Sequence, residues 1–528
     1  MVEITVLLTV AAIGFGAAHY FRMPAIPFLL AAGLILGTTS LLGDQEFVQD
    51  VMILGVTILL FLDGTDLSAR RVGHYKKLAI EIGTLQFLAL AGAGIAVASA
   101  LGYVLVDSLY IGLALAASST LVAVRLLQKR RQMFEPFGRT VTGVLLVQDV
   151  LIIVLIPLLT RVGDGTLAML QGVGGTLLLG ALAVLMVQYV APKLIVDLEL
   201  DNESLLLVIL SVLFAFMGLG WLLDAPLVSA AFLAGVSLSG FPISGLVHGQ
   251  LRPIYDFFLA IFFTALGVAI VAPGVVNVWH ATVFSLVVLL VTPPLVVLIA
   301  ERTGMSARPS IESGLLLAQT SEFSLVVALQ GLVLGQITND LFTTIALTTV
   351  ITMMLTPMLT TNKVVWQLMR WHPTSRSESL DTQPSNHIVV LGAGKSAQPI
   401  IDALRNKGID LLIIDEDPAV VDKLRTQGAV CLRGDGADKA VLRDAGVHRA
   451  RAVVSMIRRP SDLAPLFEYV DDDTPVLVRV FEDEEADEIR RLGGTPISFS
   501  HAAADAFFEW FDTEHDPSPA ASNSSPVN

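Results

Sequence analysis

Charge is scarce in this sequence: only 15% of its 528 residues are Asp, Glu, Lys or Arg, against roughly 25% in an average soluble domain. The scarcity is local. Ionisable residues are sparse up to about Met369 and dense from Arg370 onward, so the first part excludes an ordinary water-soluble fold while the last part permits one. Cysteine is nearly absent as well. Cys431 stands alone, which excludes an intramolecular disulfide and permits a cytoplasmic C-terminal part. A lone cysteine of this kind is expected to be a small buried hydrophobe. The N-terminal run MVEITVLLTVAAIGF lacks the basic region of a secretory signal and carries Glu3 instead, so it reads as a retained first membrane span.

Apolar runs are what the first part has in abundance. From Val2 to about Leu368 they come in lengths suited to a hydrocarbon core about 30 Å thick, and they predict about thirteen spans. These lie near residues 3–20, 25–42, 47–62, 77–101, 108–128, 139–160, 167–192, 203–222, 225–241, 254–272, 279–300, 311–335 and 340–366. Alternate loops hold nearly all the basic residues: Arg22; Arg70, Arg71, Lys76 and Lys77; Lys129, Arg130, Arg131 and Arg139; Lys193; Arg252; Arg302 and Arg308. The opposite loops offer Arg161. By the positive-inside rule the first set is cytoplasmic, which puts the N-terminus outside and, with an odd number of spans, the C-terminal part inside.

A charge at the bilayer centre costs at least about 2.5 kcal/mol on insertion scales, so ionisable groups within spans are functional candidates. Arg125, Asp149 and Glu322 are the clear cases. Asp149, preceded by Gln148 in GVLLVQDVLIIVL, sits near the middle of the sixth span and reads as a proton or cation site; an aspartate bridging a broken neighbouring helix is the structural alternative. Polar clusters interrupt the fifth and twelfth spans as Ser118-Ser119-Thr120 and Gln319-Thr320-Ser321-Glu322. These spans run in opposite directions, so the clusters occupy matching places in inverted repeats. Discontinuous helices in that relation build a transporter's midplane site from free carbonyls and hydroxyls. Glu322 reads either as a second cation ligand or as a partner for Arg125 or for helix ends. Gly33 and Gly37 are expected to serve close helix packing, and Pro293-Pro294 is expected to break the eleventh span.

After a Ser-, Thr- and Pro-rich linker, HIVVLGAGKSAQPIIDALRNKGIDLLIIDEDP reads as strand, glycine turn, helix, strand. Gly392-x-Gly394-x-x-Ala397 closes a β-branched strand and opens a helix, a turn whose N–H groups can meet a pyrophosphate. Asp415 ends the next strand, where a carboxylate can accept from ribose hydroxyls. Further βα units follow, then a polar tail. The fold class is therefore a polytopic α-helical membrane protein with a C-terminal α/β Rossmann-like domain: residues 1–370 in the membrane, a linker at 371–386, the α/β domain at 387–511 and a disordered tail at 512–528.

The segments LLFLDGTDL (59–67), ALAASSTLVAV (114–124), GVLLVQDV (143–150), AAFLAGVSLSG (230–240), FFTALGV (262–268) and GLLLAQTSEF (314–323), followed by the glycine-turn domain, carry a family likeness. The chain resembles the cation/proton antiporter-2 superfamily, specifically Kef-type potassium/proton antiporters with a C-terminal RCK (TrkA-N) domain. The resemblance implies an inverted-repeat antiporter fold in which Asp149 carries cation and proton in turn, beside Gln148, Ser118, Ser119, Thr120, Ser321 and Glu322. It implies a homodimer in the inner (plasma) membrane, and an adenine nucleotide or NAD(H) as regulatory ligand at Gly392, Gly394, Ala397, Asp415, Asp435 and Ser455. Asp435 stands in the family's Gly-Asp-Ala-Thr-like position within GDGADKAVL. Electrogenic relatives carry a second aspartate where this chain has Gln148, and a lysine near the place of Pro293-Pro294, so one-for-one electroneutral exchange is expected. The choice of potassium over sodium rests on the resemblance alone. His248, in ISGLVHGQLRP, lacks the acidic companions of glutathione-gated members, and Arg458 and Arg459 replace acidic residues near the ligand.

Two rival functions meet obstacles. A nucleotide-gated cation channel would want a TVGYG-like filter, which the sequence lacks. A dehydrogenase would want a general acid or base beside the glycine turn, so the chain is not expected to be an enzyme, nor to bind nucleic acid.

Overall fold

Unbroken runs of Ala, Leu, Val and Ile satisfy their backbone groups internally, as crossing hydrocarbon demands, and in the computed structural model of this chain they form helices. The structure describes residues 2–21, 23–39, 45–67, 76–130, 132–133, 136–196, 201–240, 243–305, 307–371, 384–394, 396–415, 418–436, 438–457, 463–471 and 473–515. Residues 372–383 of the expected linker at 371–386, Arg458, Arg459, residues 516–528 of the expected tail at 512–528 and the side chain of His248 lie outside the described residues. Contacts divide the chain into two compact units, one of Met1–Gly304 with Arg308–Leu368 and the other chiefly Met369–Asn528.

Among the described residues of the first unit, ten helices are long and apolar enough to cross a membrane, or eleven if the bent pair Gly245–Leu251 and Tyr255–Ala269 is one span. Two shorter apolar helices, Ala25–Gly37 and Leu227–Val236, accompany them. Every span expected from the sequence contains a helix of this set. Glycine lets the backbones touch where the site is held: a Cβ on Gly33 would fall 2.1 Å from the Thr264 carbonyl oxygen, and one on Gly235 would fall 1.8 Å from that of Phe61. Those contacts lock Ala25–Gly37 onto Ile243–Ala269 and Leu227–Val236 onto Gln45–Thr65. The expected break at Pro293-Pro294 does not occur, because the helix Val275–Arg302 runs through both prolines. Gly314 of a neighbouring helix packs on Pro293 there, its Cβ position only 2.9 Å from the Pro293 Cα. Membrane helices tolerate such prolines because packed neighbours can supply what the lost hydrogen bonds cost.

In the second unit, strands of nearly continuous apolar residues form a sheet buried on both faces. They are β1 (Ile388–Leu391), β2 (Leu411–Asp415), β3 (Val430–Arg433), β4 (Ala452–Ser455), β5 (Val476–Val480) and β6 (Thr495–Ser498). All neighbours pair in parallel, in the order β3-β2-β1-β4-β5-β6. The order reverses between β1 and β4, which opens a crevice at their carboxyl ends. Val389, Leu391 and Val453 face one core; Val390, Ile413 and Val454 face the other. Cys431 on β3 is buried, and burial pushes its thiol up from its ordinary value, so it behaves as a small hydrophobe.

Candidate functional site

Serine and threonine offer the backbone hydrogen bonds that compete with helix continuation, and two spans break where such residues cluster. Leu105–Ala116 stops, the chain extends through Ala117 and Ser119, and Thr120–Lys129 begins. Ala307–Leu317 stops likewise, and Glu322–Val333 begins after an extended Ser321. Each new helix is capped by its own serine: Ser119 Oγ accepts from the Val122 N–H at 3.3 Å, and Ser321 Oγ from the Phe323 N–H at 3.1 Å.

The two breaks meet. Ser118 Oγ donates to the Leu317 carbonyl at 2.8 Å, Gln319 Nε2 to the Ser119 carbonyl at 3.4 Å, and Ser324 Oγ to the Ala114 carbonyl. Across the junction, Ser119 Oγ donates to Glu322 Oε2 at 2.8 Å. Thr320 turns outward from this junction to the helix Asn339–Leu359, where its hydroxyl meets those of Thr349 at 3.2 Å and Thr352 at 3.1 Å.

Gln148 and Asp149 reach the junction from the unbroken helix Pro136–Thr160. Gln148 Oε1 accepts from the Ser118 N–H at 2.9 Å, satisfying a donor that the helix break set free. Asp149 Oδ2 accepts from the Thr120 hydroxyl at 3.3 Å. The carboxylate is 4% exposed, and its Oδ1 has no hydrogen-bond partner among the described residues. A buried carboxylate oxygen left open beside a helix break can take either a proton or a monovalent cation.

Arg125 departs from the expectation of a charge buried within a span. Its side chain is about half exposed and lies 4.0 Å from Asp256, while Glu322 is held by Ser119 instead. A carboxylate that sequence reasoning missed joins the site: Asp63 lines a small cleft together with Tyr255 and Glu322. The expected third span ended at residue 62, which left Asp63 in a loop, whereas the helix Gln45–Thr65 carries it inward. The signal was its place one residue beyond an apolar run.

In the α/β unit, Gly392 turns at φ +83, a conformation only glycine adopts freely, as β1 ends. The N–H of Ala393 donates to Asp415 Oδ2 at 2.6 Å, tying the glycine turn to the end of β2. A Cβ on Gly394 would meet no protein atom within 4 Å, so space stands open in front of the turn. Ala397 is fully buried at the start of the helix Gln398–Asn406. Asp435 follows β3 and is partly buried, beside the Gly434 N–H that donates to the Asp415 carbonyl at 3.1 Å. Ser455 is fully buried at the end of β4, where its Oγ accepts from the Ile457 N–H at 3.4 Å. Sequence reasoning passed over Arg479. Although it sits in a strand of valines, its guanidinium is buried and donates to Ser396 Oγ at 2.6 Å, just past the glycine turn. The open space before the glycine turn and the carboxylate at the end of β2 fit a dinucleotide or adenine nucleotide.

Paired broken helices crossing beside a buried carboxylate on an unbroken helix define an ion-coupled membrane transporter of the antiporter class. The sodium/hydrogen exchanger transmembrane family profile matches residues 5–362 and the TrkA-N domain profile matches residues 388–499, so the chain belongs to the sodium/hydrogen exchanger family and carries a TrkA-N domain. It is 26% identical over 482 residues to the glutathione-regulated potassium-efflux system protein KefC of Shigella flexneri and to that of Escherichia coli K12, covering 88% of this chain and 76% of either relative. Its membrane fold is similar to that of the sodium proton antiporter MjNhaP1 from Methanocaldococcus jannaschii, with TM-score 0.54 and 16% identity over 69% of this chain and 96% of that one.

Proposed function

We propose that this protein exchanges a monovalent cation, potassium in preference to sodium, for one proton, and that Asp149 holds the two in turn. The observation that carries the proposal is the open, buried Asp149 Oδ1 beside the crossing of the two helix breaks. A single carboxylate neutralises one proton or one monovalent cation, and an extra unpaired charge in a low-dielectric site would be costly. The loaded site then has the same net charge in both directions, and exchange is electroneutral. The preference for potassium follows the KefC relatives, which are potassium-efflux system proteins. Their glutathione control is not carried over, because the His248 segment lacks the matching acidic residues.

The α/β unit binds an adenine nucleotide or NAD(H) at the turn Gly392–Gly394 with Asp415 and Asp435, and thereby biases transport. Binding and transport account for both units, and no catalytic chemistry is assigned to either. The protein acts as a homodimer in the plasma membrane, its N-terminus outside and its α/β unit in the cytoplasm, as the loop charges favour.

Ion flux from the purified full chain in liposomes tests the transport reading. Potassium is expected to drive proton movement at lower concentration than sodium, with no sustained current on a solid-supported membrane. A sustained current would overturn electroneutrality, and sodium preference would overturn the choice of ion. For the ligand, Gly394→Val places a side chain in the open space before the turn. Calorimetry should show heat with an adenine ligand for the unaltered protein and none for the variant.

A further inference from the structure

Two carboxylates face one small cleft beside the site, and exchange at Asp149 leaves both unexplained. Asp63 and Glu322 line it with the phenol of Tyr255; the remaining lining is apolar, with Leu59, Leu121, Phe262 and Val326 among it. Three oxygen-bearing side chains among so many hydrocarbon ones are too few to replace a cation's hydration shell. A proton needs one acceptor oxygen. Glu322 is 5% exposed, and one of its oxygens, Oε1, is buried without a hydrogen-bond partner among the described residues. Asp63, near the end of the helix Gln45–Thr65, is partly exposed and is the more accessible of the two carboxylates. The charged and titratable groups around Asp63 are Glu322, Asp149, Asp66 and Tyr255, with Arg125 adding its positive charge at Tyr255.

From this geometry we infer that Asp63 is the outer station of a proton relay that loads Asp149 through Glu322. The inference rests on Asp149 being the exchange site. A proton leaves the Asp63 carboxyl for a water in the cleft, which gives one of its own protons to the Glu322 carboxylate, and the Asp63 carboxylate so formed takes the next proton from bulk water. From Glu322 the path continues over the hydroxyls of Ser119 and Thr120, with a water passing the proton between them, since no hydrogen bond joins the two among the described residues. Ser119 Oγ is bonded to Glu322 Oε2 at 2.8 Å, and the next residue, Thr120, is bonded to Asp149 Oδ2 at 3.3 Å. Asp63 itself serves the proton and is not a ligand of the cation.

The test uses the full chain in liposomes, with exchange rate measured against pH and against cation concentration. Asp63→Asn is expected to lower the maximal rate about tenfold or more, with the cation KM unchanged and the dependence of rate on pH altered. Asp63→Glu should restore the rate, and Asp63→Ser should repeat the loss if the Asn variant does not fold. A wild-type rate and pH profile in Asp63→Asn or Asp63→Ser would overturn the relay, as would a loss that Asp63→Glu fails to restore or one confined to KM. Asp149→Asn separates the two ideas. If it abolishes exchange while Asp63→Asn keeps the wild-type rate and pH profile, the relay alone falls; if Asp149→Asn still exchanges, the exchange site itself is misassigned.

Discussion

At the scale of single residues, the protein keeps Asp149 in a place where a carboxylate opposes folding. Burial disfavours its charge, and one oxygen is left without a partner. Function, not stability, accounts for such a residue, so Asp149→Asn is expected to leave thermal stability in detergent equal or raised while exchange is lost. A fall in the unfolding temperature would mean that the carboxylate is structural. In the α/β unit His387 gives a pH-dependent counterpart. It is 2% exposed, its Nε2–H donates to the Ala445 carbonyl at 3.0 Å, and its Nδ1 has no partner among the described residues. Burial holds its pKa below the ordinary value of 6.5. The unfolded chain therefore binds the proton more readily than the folded one, and stability is full above about pH 6.5 and is lost as pH falls toward the folded pKa. Thermal unfolding of the full chain against pH should show this acid loss for the α/β unit, and His387→Gln should make the slope shallower.

At the scale of elements, the site depends on helices brought into backbone contact by glycine. Gly235 is the tightest such point on the helix beside Asp63, with its Cβ position 1.8 Å from the Phe61 carbonyl oxygen. Gly235→Val must push Leu227–Val236 off Gln45–Thr65, so a loss of more than about 3 kcal/mol or outright failure to assemble is expected. Folded yield by gel filtration checks it, and an unchanged yield and unfolding temperature would contradict the packing. Elements were also where the sequence was most legible. Apolar runs announced the helices, and Ser118-Ser119 and Thr320-Ser321 announced the breaks, although hydroxyls alone do not decide: the threonines of Asn339–Leu359 bond back to their own carbonyls within an unbroken helix. Pro293-Pro294 misled, since local sequence carries no information about the neighbouring Gly314 against which that helix packs. Asp63 was hidden by its position at a helix end, and Arg479 by the valines around it; tertiary placement gives both their role.

At the scale of the whole molecule, the chain joins a transport unit to a ligand-binding unit, and any coupling between them must be reciprocal. If an adenine nucleotide or NAD(H) favours one transport state, the transported cation must change nucleotide affinity by the same factor, of the order of 5- to 150-fold for typical allosteric coupling. Calorimetric titration of the full chain with and without saturating potassium should show that shift, and identical affinities would mean that the domain binds without regulating. The central claim concerns Asp149, and one measurement addresses it most directly. Protein reconstituted in liposomes carrying a pH-sensitive dye is given an outward potassium gradient, and the dye is read for the unaltered chain and for Asp149→Asn. Proton entry driven by potassium exit in the first, and none above protein-free liposomes in the second, is the result expected. Potassium-driven proton movement that persists in Asp149→Asn would contradict the account.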